Sequence, residues 1–216
     1  MKILALETST LTGSVVLVDD SKVIAETTLS VSVQHSERLM PAIEELLKNS
    51  TTDISEIDLF AVSQGPGSFT GLRIGIAAAQ GLALSQNKPI VGISTLEALA
   101  MNGFFFSGVI VPLLNAFRGD VYRGIYRMSS GLTNELVPLV EDQVVTSTRL
   151  AEELATYSEE KLLIGYEVPT LKNVTMQTPF FLNFPKASYV AALALNQWKK
   201  KPESHPIFPR YLREPG

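Results

Sequence analysis

The sequence predicts an α/β protein with two lobes, each built on a mixed β-sheet that is flanked by helices. Short apolar runs separated by polar turns open the chain and predict an antiparallel meander of three strands, at residues 3–6, 15–18 and 23–29. A second set of strand patterns begins after Asn102 and Gly103. We therefore expect lobes at residues 1–103 and 104–216, with the last helix and the tail as candidates for a return to the first lobe.

Helical and strand patterns alternate through the rest of each lobe. Apolar residues at helical spacing predict helices at 36–48, 70–85, 95–101, 148–157 and 187–199. Residue types that cap helix N-termini open four of these segments, so we expect the N-caps to be Ser36, Thr70, Ser94 and Ser147. Further apolar runs predict strands at 57–63, 89–93, 109–114, 121–126, 136–140 and 161–164, and residues 166–183 show no regular pattern.

The composition of the 216-residue chain excludes several classes of protein. With 45% hydrophobic and 19% charged residues, the chain has enough apolar side chains for a packed core, which excludes a disordered protein. The absence of cysteine excludes disulfides, thiolate catalysis and cysteine metal sites. A net charge of −4 does not favour a broad nucleic-acid surface. Because the sequence has neither a signal-peptide pattern nor an apolar run of about 18 residues, we expect a cytoplasmic protein without membrane contact.

A glycine-rich segment at residues 65–75 is the most informative motif. It lies between a predicted strand and a predicted helix, where free backbone N–H groups at the helix N-terminus suit an anion or a phosphate. A Walker loop also needs a Gly-Lys-Ser/Thr sequence, and no lysine lies between Gly65 and Gln86. The motif is therefore compatible with a working phosphate site, with a remnant of one, or with a packing device.

Other polar residues give weaker evidence for chemistry. Glu7, Thr8 and Ser9 end the first predicted strand, where α/β proteins place ligands. The local sequence alone favours a turn that is stabilised by hydroxyl groups. His35 and His205 are the only histidines, and neither has a second histidine at the spacing of a metal site, so we expect no bound metal.

Two predicted helices carry surfaces that suit close contact. Small residues form one i, i+4 row on the helix at 70–85, and such a row lets another backbone approach closely; it consists of Gly71, Gly75, Ala79 and Ala83. The helix at 36–48 has a broad apolar face, which consists of Leu39, Met40, Ile43, Leu46 and Leu47. These patterns predict either packing on the chain's own sheet or contact with a partner, and pattern alone does not separate the two.

Four segments, taken together and in this order, resemble one family. They are residues 4–9 (LALETS), 35–41 (HSERLMP), 65–75 (GPGSFTGLRIG) and 209–213 (PRYLR). They resemble the TsaB family, also called YeaZ, which belongs to the bacterial machinery that makes N6-threonylcarbamoyladenosine in tRNA. The resemblance implies an actin-like ATPase fold of the sugar kinase, Hsp70 and actin type. It also implies a partner role beside TsaD, the catalytic subunit that transfers the threonylcarbamoyl group, and beside a TsaE-like ATPase.

The resemblance further implies where the binding surfaces lie. The family's dimerisation face uses the first two helices, so contact with TsaD, and homodimerisation when the chain is alone, are expected at Leu39, Met40, Ile43, Leu47, Gly71, Leu72, Gly75, Ala79 and Ala83. A remnant nucleotide site is expected at Glu7, Thr8, Ser9, Gly65 and Gly67, with no cofactor held by this chain alone and with ATP or ADP at the interface of the complex. Contact with tRNA is expected to be indirect, through the complex.

The resemblance also bears on catalysis. In TsaD, a metal-binding His-x-x-x-His follows the strand after the glycine-rich helix, and Thr95 and Leu99 occupy those two positions here. Neither side chain can replace an imidazole as a metal ligand. The leading hypothesis is therefore a non-catalytic partner subunit. An ATP-binding or ATP-hydrolysing actin-like enzyme is the alternative from another class, and a metallopeptidase is the least favoured hypothesis.

Residues 115–118 depart from the family pattern. The family often has Asp-Ala-Arg-Arg at this place, whereas this chain has Asn-Ala-Phe-Arg. A function that needs that carboxylate or the first arginine is therefore not expected. The sequence leaves two structures open for residues 115–120, which are a ligand loop and a β-hairpin turn closed by Gly119 and Asp120.

Overall fold

The chain divides into two compact units, and both contain residues from distant parts of the sequence. The computed structural model describes residues 1–30, 35–129, 135–166 and 176–213. The first unit consists of Met1–Ala98 and Lys186–Arg210, and the second of Leu99–Pro185 and Tyr211–Gly216. Each unit has a five-stranded mixed sheet with helices beside it, so the expected α/β class is confirmed.

The bounds of most elements agree with the sequence patterns. The strands are β1 (Lys2–Glu7), β2 (Thr12–Asp19), β3 (Lys22–Ser30), β4 (Leu59–Gly65), β5 (Ile90–Ser94), β6 (Val109–Asn115), β7 (Asp120–Met128), β8 (Leu136–Thr146), β9 (Lys161–Ile164) and β10 (Met176–Gln177). The α-helices are α1 (His35–Asn49), α2 (Phe69–Ser85), α3 (Thr95–Ala100), α4 (Ser147–Ala155) and α5 (Ala187–Lys200). Strand β8 is longer than expected because it pairs along β7 up to Thr146.

Two of the expected N-caps are wrong, because each helix is capped by an earlier residue. Ser68, and not Thr70, caps α2, and its hydroxyl accepts the N–H of Gly71. Thr146, and not Ser147, caps α4 in the same way. The expected cap of α3 is confirmed, since the Ser94 hydroxyl accepts the N–H of Leu96 at 3.2 Å. The side chains of His35 and Ser36 lie outside the described residues.

The sheet of the first unit has the order β3-β2-β1-β4-β5. The first three strands form the expected antiparallel meander, because the turns between them are short. Strands β1, β4 and β5 are parallel, so a crossover is needed between β4 and β5, and α2 provides it. The ends of β1 and β4 therefore point toward the same edge of the sheet, next to the N-terminus of α2.

Both faces of this sheet are buried. Alternate residues of β1 face opposite sides, with Leu4 and Leu6 in one core and Ile3 and Ala5 in the other. Helices α1 and α2 supply side chains to the first core, and α5 supplies small and branched side chains to the second, namely Ala187, Val190, Ala191, Ala194 and Leu195. The first unit therefore needs the last helix of the chain to complete its core.

The sheet of the second unit has the order β10-β9-β6-β7-β8. Helix α4 packs on it with Leu150 and Leu154. Arg123 of β7 is only 1% exposed and forms a bidentate ion pair with Glu153 of α4, with Nε–Oε2 and Nη2–Oε1 distances of 2.9 and 3.0 Å. Its third nitrogen, Nη1, donates to the carbonyl of Glu141 at 2.6 Å. The buried guanidinium is thus held on three sides.

The segment after α5 runs in an extended conformation along the first unit. The side-chain amide of Gln80 binds both backbone groups of Ile207, with Oε1 accepting its N–H at 2.9 Å and Nε2 donating to its carbonyl at 3.1 Å. The hydroxyl of Ser204 makes two similar contacts with the backbone of Ile90. Within the described ranges, no helix is both long and apolar enough to span a lipid bilayer.

Candidate functional site

The candidate site lies at the edge of the first sheet where β1 and β4 end and α2 begins. Strand β4 ends at Gly65, and Ser68 caps α2 with both of its oxygens. Its hydroxyl accepts the N–H of Gly71 at 3.2 Å, and its carbonyl accepts the N–H of Leu72 at 2.9 Å. These donors of the first helical turn are therefore satisfied within the segment itself.

The glycine-rich loop packs directly on the residues that follow β1. The N–H of Ser68 donates to the carbonyl of Ser9 at 2.7 Å. A Cβ atom at Gly67 would lie 2.4 Å from the same carbonyl oxygen, which is too close for any side chain. The structure thus brings together Ser9 and Gly67, two of the expected nucleotide-site residues.

Thr8 explains the two glycines that lie inside α2. Its hydroxyl donates to the carbonyl of Gly71 at 2.8 Å. A Cβ at Gly71 would lie 2.1 Å from the Thr8 carbonyl oxygen, and one at Gly75 would lie 2.1 Å from the Thr8 hydroxyl oxygen. Both glycines are therefore required for the close approach of α2 to the end of β1. The contacts that this approach allows outweigh the cost of glycine in helix propensity.

Gly65, another of the expected nucleotide-site residues, contacts the extended tail. Its φ angle of +116° lies in a region that side chains rarely adopt, and a Cβ there would lie 2.7 Å from the Arg210 carbonyl oxygen. The tail is held at this place because the N–H of Arg210 donates to the Gln64 carbonyl at 2.7 Å. Sequence reasoning missed the contacts of this tail, since it has no periodic pattern.

Glu7 is the last residue of β1, and its carboxyl group is fully buried. Its Oε1 accepts the backbone N–H of Ser9 at 2.6 Å and also the Ser9 hydroxyl, and its Oε2 accepts the Ser63 hydroxyl. Burial raises the pKa of the Glu7 carboxyl above its usual range, although the hydrogen bonds from Ser63 and Ser9 act in the opposite direction. The group therefore connects β1 and β4 inside the protein.

The raised pKa of Glu7 predicts a specific pH dependence. Between the usual pKa of glutamate and the raised pKa in the folded chain, the folded state binds one more proton than the unfolded state, so stability falls as the pH rises through this window. The variant Glu7→Gln keeps a neutral side chain of the same shape and is expected to lose this decrease. Urea unfolding as a function of pH measures the difference, and parallel profiles for Glu7→Gln and the unchanged chain would contradict it.

The structure corrects the expected docking row on α2. Most of the expected interface residues are buried in the chain's own core, namely Leu39, Ile43, Gly71, Leu72, Gly75, Ala79 and Ala83. They face the sheet, and so they are not available to a partner. Leu47 packs partly against the same core, whereas Met40 is 46% exposed.

A different row of α2 faces outward. It lies on the opposite side of the helix, because a shift of two positions is a rotation of about 200°, and it consists of Arg73, Ala77, Gly81 and Ser85. No heavy atom lies within 4 Å of a Cβ built at Gly81, and Leu84 beside it is 83% exposed. We call the exposed residues Met40, Phe69, Arg73, Ala77, Gly81 and Leu84 the outer face of α1 and α2. Gly81 is the sequence signal for this exposed side that was missed, since it is a glycine within the helix that lies outside the predicted row.

The residues at the positions of the TsaD metal ligands are buried. Thr95 has no exposed surface, and its hydroxyl oxygen has no hydrogen-bond partner among the residues that the structure describes. Leu99 is equally buried. Within residues 1–30, 35–129, 135–166 and 176–213, no group of three or more His, Cys, Asp or Glu side chains is arranged to hold a metal ion.

Residues 115–120 form the β-hairpin turn between β6 and β7, one of the two structures that the sequence left open. The N–H of Ala116 donates to the Asp120 carbonyl at 3.0 Å, and the N–H of Asp120 donates to the Phe117 carbonyl at 3.1 Å. Phe117 and Arg118 have φ angles of 60° and 57°, followed by Gly119 at 86°. The turn thus has consecutive residues in the left-handed region.

Known proteins with similar sequences and structures cover nearly the whole chain. The family model described as TsaD, tRNA N6-adenosine threonylcarbamoyltransferase, matches residues 22–216. The tRNA threonylcarbamoyladenosine biosynthesis protein TsaB of Bacillus subtilis (strain 168) is 35% identical over 221 residues, which are 99% of this chain and 94% of that one. YeaZ from Pseudomonas aeruginosa superposes with a TM-score of 0.83 at 25% identity, covering 98% of this chain and 99% of that chain.

A more distant structure bears on the fold alone. The ethanolamine utilization protein EutJ from Carboxydothermus hydrogenoformans has a TM-score of 0.50 at 12% identity and covers 88% of this chain and 89% of that chain. The expected actin-like ATPase fold is confirmed by this likeness together with YeaZ. The sequence match over nearly all of the chain confirms the family as well. The chain therefore belongs to the TsaB family.

Proposed function

We propose that this chain is a cytoplasmic, non-catalytic partner subunit of a TsaD-like transferase in the biosynthesis of N6-threonylcarbamoyladenosine in tRNA. Two similarities support the pathway. The Bacillus subtilis relative is a tRNA threonylcarbamoyladenosine biosynthesis protein, and the matching family model is that of the threonylcarbamoyltransferase. A chain similar to both suits a subunit that pairs with the transferase it resembles.

One observation carries the non-catalytic part of the proposal. Three N–H groups at the start of α2 are used by the chain itself, because that of Ser68 binds Ser9 and those of Gly71 and Leu72 bind Ser68. There is no space for a side chain at Gly67, Gly71 or Gly75, since a Cβ at each position would overlap Thr8 or Ser9. This packing supports a structural role for the glycine-rich segment over an ATP-hydrolysing one.

The outer face of α1 and α2 is the proposed contact with the TsaD-like subunit, and with a second copy when the chain is alone. It combines exposed apolar groups, such as Met40 and Leu84, with the small residues Ala77 and Gly81. Small residues let a helix of the partner approach closely, and the larger side chains beside them supply apolar contact area.

We propose that the TsaE-like ATPase joins the same complex, with ATP or ADP at the interface and tRNA held mainly by the TsaD-like subunit.

The variant Gly81→Arg tests this surface without disturbing the fold. The position is open, and arginine is a better helix former than glycine, so the variant is expected to be at least as stable as the unchanged chain. In size-exclusion chromatography with the TsaD-like subunit, it is expected to elute separately. Ala192→Arg, at an exposed position of α5, is the matched control and is expected to form the complex. A Gly81→Arg chain that binds as well as the control would refute this docking surface.

Reconstituted tRNA modification tests the role itself. Threonylcarbamoyladenosine formation by the TsaD-like subunit is expected to require this chain, and the Gly81→Arg variant is expected not to support it. Calorimetry of the isolated chain with ATP and Mg²⁺ addresses the alternative of an ATP-dependent enzyme. Stoichiometric binding with turnover would replace the partner role by that alternative.

A further inference from the structure

The hairpin tip of the second unit, residues 115–120, carries an aromatic residue and an arginine at consecutive exposed positions. Phe117 is 74% exposed, and Arg118 is exposed as well. We propose that this tip binds an unpaired segment of RNA, with a base stacked on Phe117 and a phosphate at Arg118. The inference rests on the proposed function, because the tRNA of that reaction supplies the RNA.

The tip is held in one conformation before any ligand arrives. The side chain of Asn115 accepts the N–H of Phe117 at 2.8 Å, and two backbone hydrogen bonds join Ala116 to Asp120 and Asp120 to Phe117. Left-handed backbone angles at a phenylalanine and an arginine are unfavourable, and these contacts maintain them. A turn whose backbone is already ordered loses little backbone freedom when its side chains bind a ligand.

The charges around the tip favour an anion. The one carboxylate of the turn, Asp120, is paired with Arg213, which also donates from Nη1 to the Ala116 carbonyl at 2.9 Å. Arg118 makes no ion pair with any residue in the described part of the chain. The hydroxyl of Ser147 contacts the Gly119 carbonyl at 3.1 Å, and the first turn of α4, which begins there, has no acidic residue. A phosphate at Arg118 therefore meets a cation, and neither the described turn nor the first turn of α4 adds a free carboxylate.

The pairing of a ring with a guanidinium fits single-stranded RNA better than a duplex. An unpaired base offers a π-face to an aromatic side chain whatever its identity, and the neighbouring phosphate is bound by arginine. Bases inside a duplex are stacked on each other and cannot reach an exposed ring. An acidic protein surface would also bind Arg118 but would leave Phe117 exposed to water, so we favour RNA.

The test measures the affinity of the assembled complex for an unmodified tRNA transcript by fluorescence anisotropy at several salt concentrations. Phe117→Ala is expected to weaken binding about tenfold without changing the salt dependence, because stacking involves no charge. Arg118→Ala is expected to weaken binding and to reduce the slope of log K against log [salt] by about 0.7, the value for one phosphate of a single strand. The same transcript with its loop closed into a duplex by a complementary strand is expected to bind all chains equally.

Two variants elsewhere in the chain are matched controls. Phe208→Ala removes another phenylalanine that is 74% exposed, and Lys22→Ala removes an exposed cation; both are expected to leave tRNA affinity unchanged. Thermal unfolding confirms that each variant folds. If Phe117→Ala binds tRNA within twofold of the affinity of the unchanged chain, the proposal is overturned. It is also overturned if the replacements at Phe117 and Arg118 impair only the assembly of the complex, because that result points to a protein contact. Failure of the unchanged chain to assemble with its partner would count against the proposed function. Normal assembly together with unchanged tRNA affinity of Phe117→Ala would count against this inference alone, so the two failures can be told apart.

Discussion

Replacing Gly71 with alanine is expected to lower the free energy of unfolding by about 3 kcal/mol, a large effect for one methyl group. The added Cβ would lie 2.1 Å from the backbone carbonyl oxygen of Thr8, which cannot move without displacing the end of β1. The same replacement at Gly81, on the same helix, is expected to raise the free energy of unfolding by about 0.5–1 kcal/mol. That position is open, so only the gain in helix propensity remains.

Urea unfolding of the two variants measures both changes under identical conditions. The comparison is internally controlled, because the chemical change is the same and the helix is the same. Changes of opposite sign in the free energy of unfolding would establish that the side of α2 with Gly71 packs against the end of β1 and that the side with Gly81 is open. Equal losses of stability at Gly71 and Gly81 would contradict this arrangement of the helix, and with it the outer face proposed as the docking surface.

Removing Glu153 is the second large expected effect. Glu153→Ala leaves the guanidinium of Arg123, which is 1% exposed, without its carboxylate, and we expect a loss of about 3 kcal/mol. The double variant Arg123→Met, Glu153→Ala removes the charge together with its partner and is expected to be more stable than Glu153→Ala alone. A buried charge without a partner is thus predicted to cost more than the loss of the whole pair.

Glu152→Ala is the matched control for this cycle. Glu152 is the neighbouring residue of α4 and is exposed, so its replacement is expected to change the free energy of unfolding by less than about 0.5 kcal/mol. Thermal unfolding of the unchanged chain, Arg123→Met, Glu153→Ala and the double variant measures the coupling, and Glu152→Ala is the fifth chain in the comparison. Additive effects of the Arg123 and Glu153 replacements would show that the ion pair contributes no stability of its own.

Local patterns were sufficient to predict much of the first unit. The meander of β1, β2 and β3 follows from short apolar runs separated by turns, and the Ser94 cap follows from residue type. Which side of α2 faces the sheet was not predictable from local patterns. Its small residues lie on two opposite sides, so periodicity alone does not tell which side faces the sheet. Thr8 decides this, because its backbone lies against Gly71.

Contacts between distant parts of the sequence account for what sequence reasoning missed at the site. The Gln80 amide binds the backbone of Ile207, and backbone groups have no signature in the sequence. The contact between the glycine-rich loop and the residues after β1 has the same origin, since the carbonyl of Ser9 accepts the N–H of Ser68. A loop that resembles a phosphate site in sequence can therefore bind its own chain.

The position of α5 has a consequence for how the protein is made. Ala187, Val190 and Ala194 complete the second core of the first unit, yet they are synthesised after nearly all of the second unit. Domains generally fold as units during synthesis, in the order in which they leave the ribosome. The first unit must therefore wait, with one face of its sheet uncovered, until α5 emerges. Translation that stops before residue 187 would release a chain whose earliest residues lack a finished core.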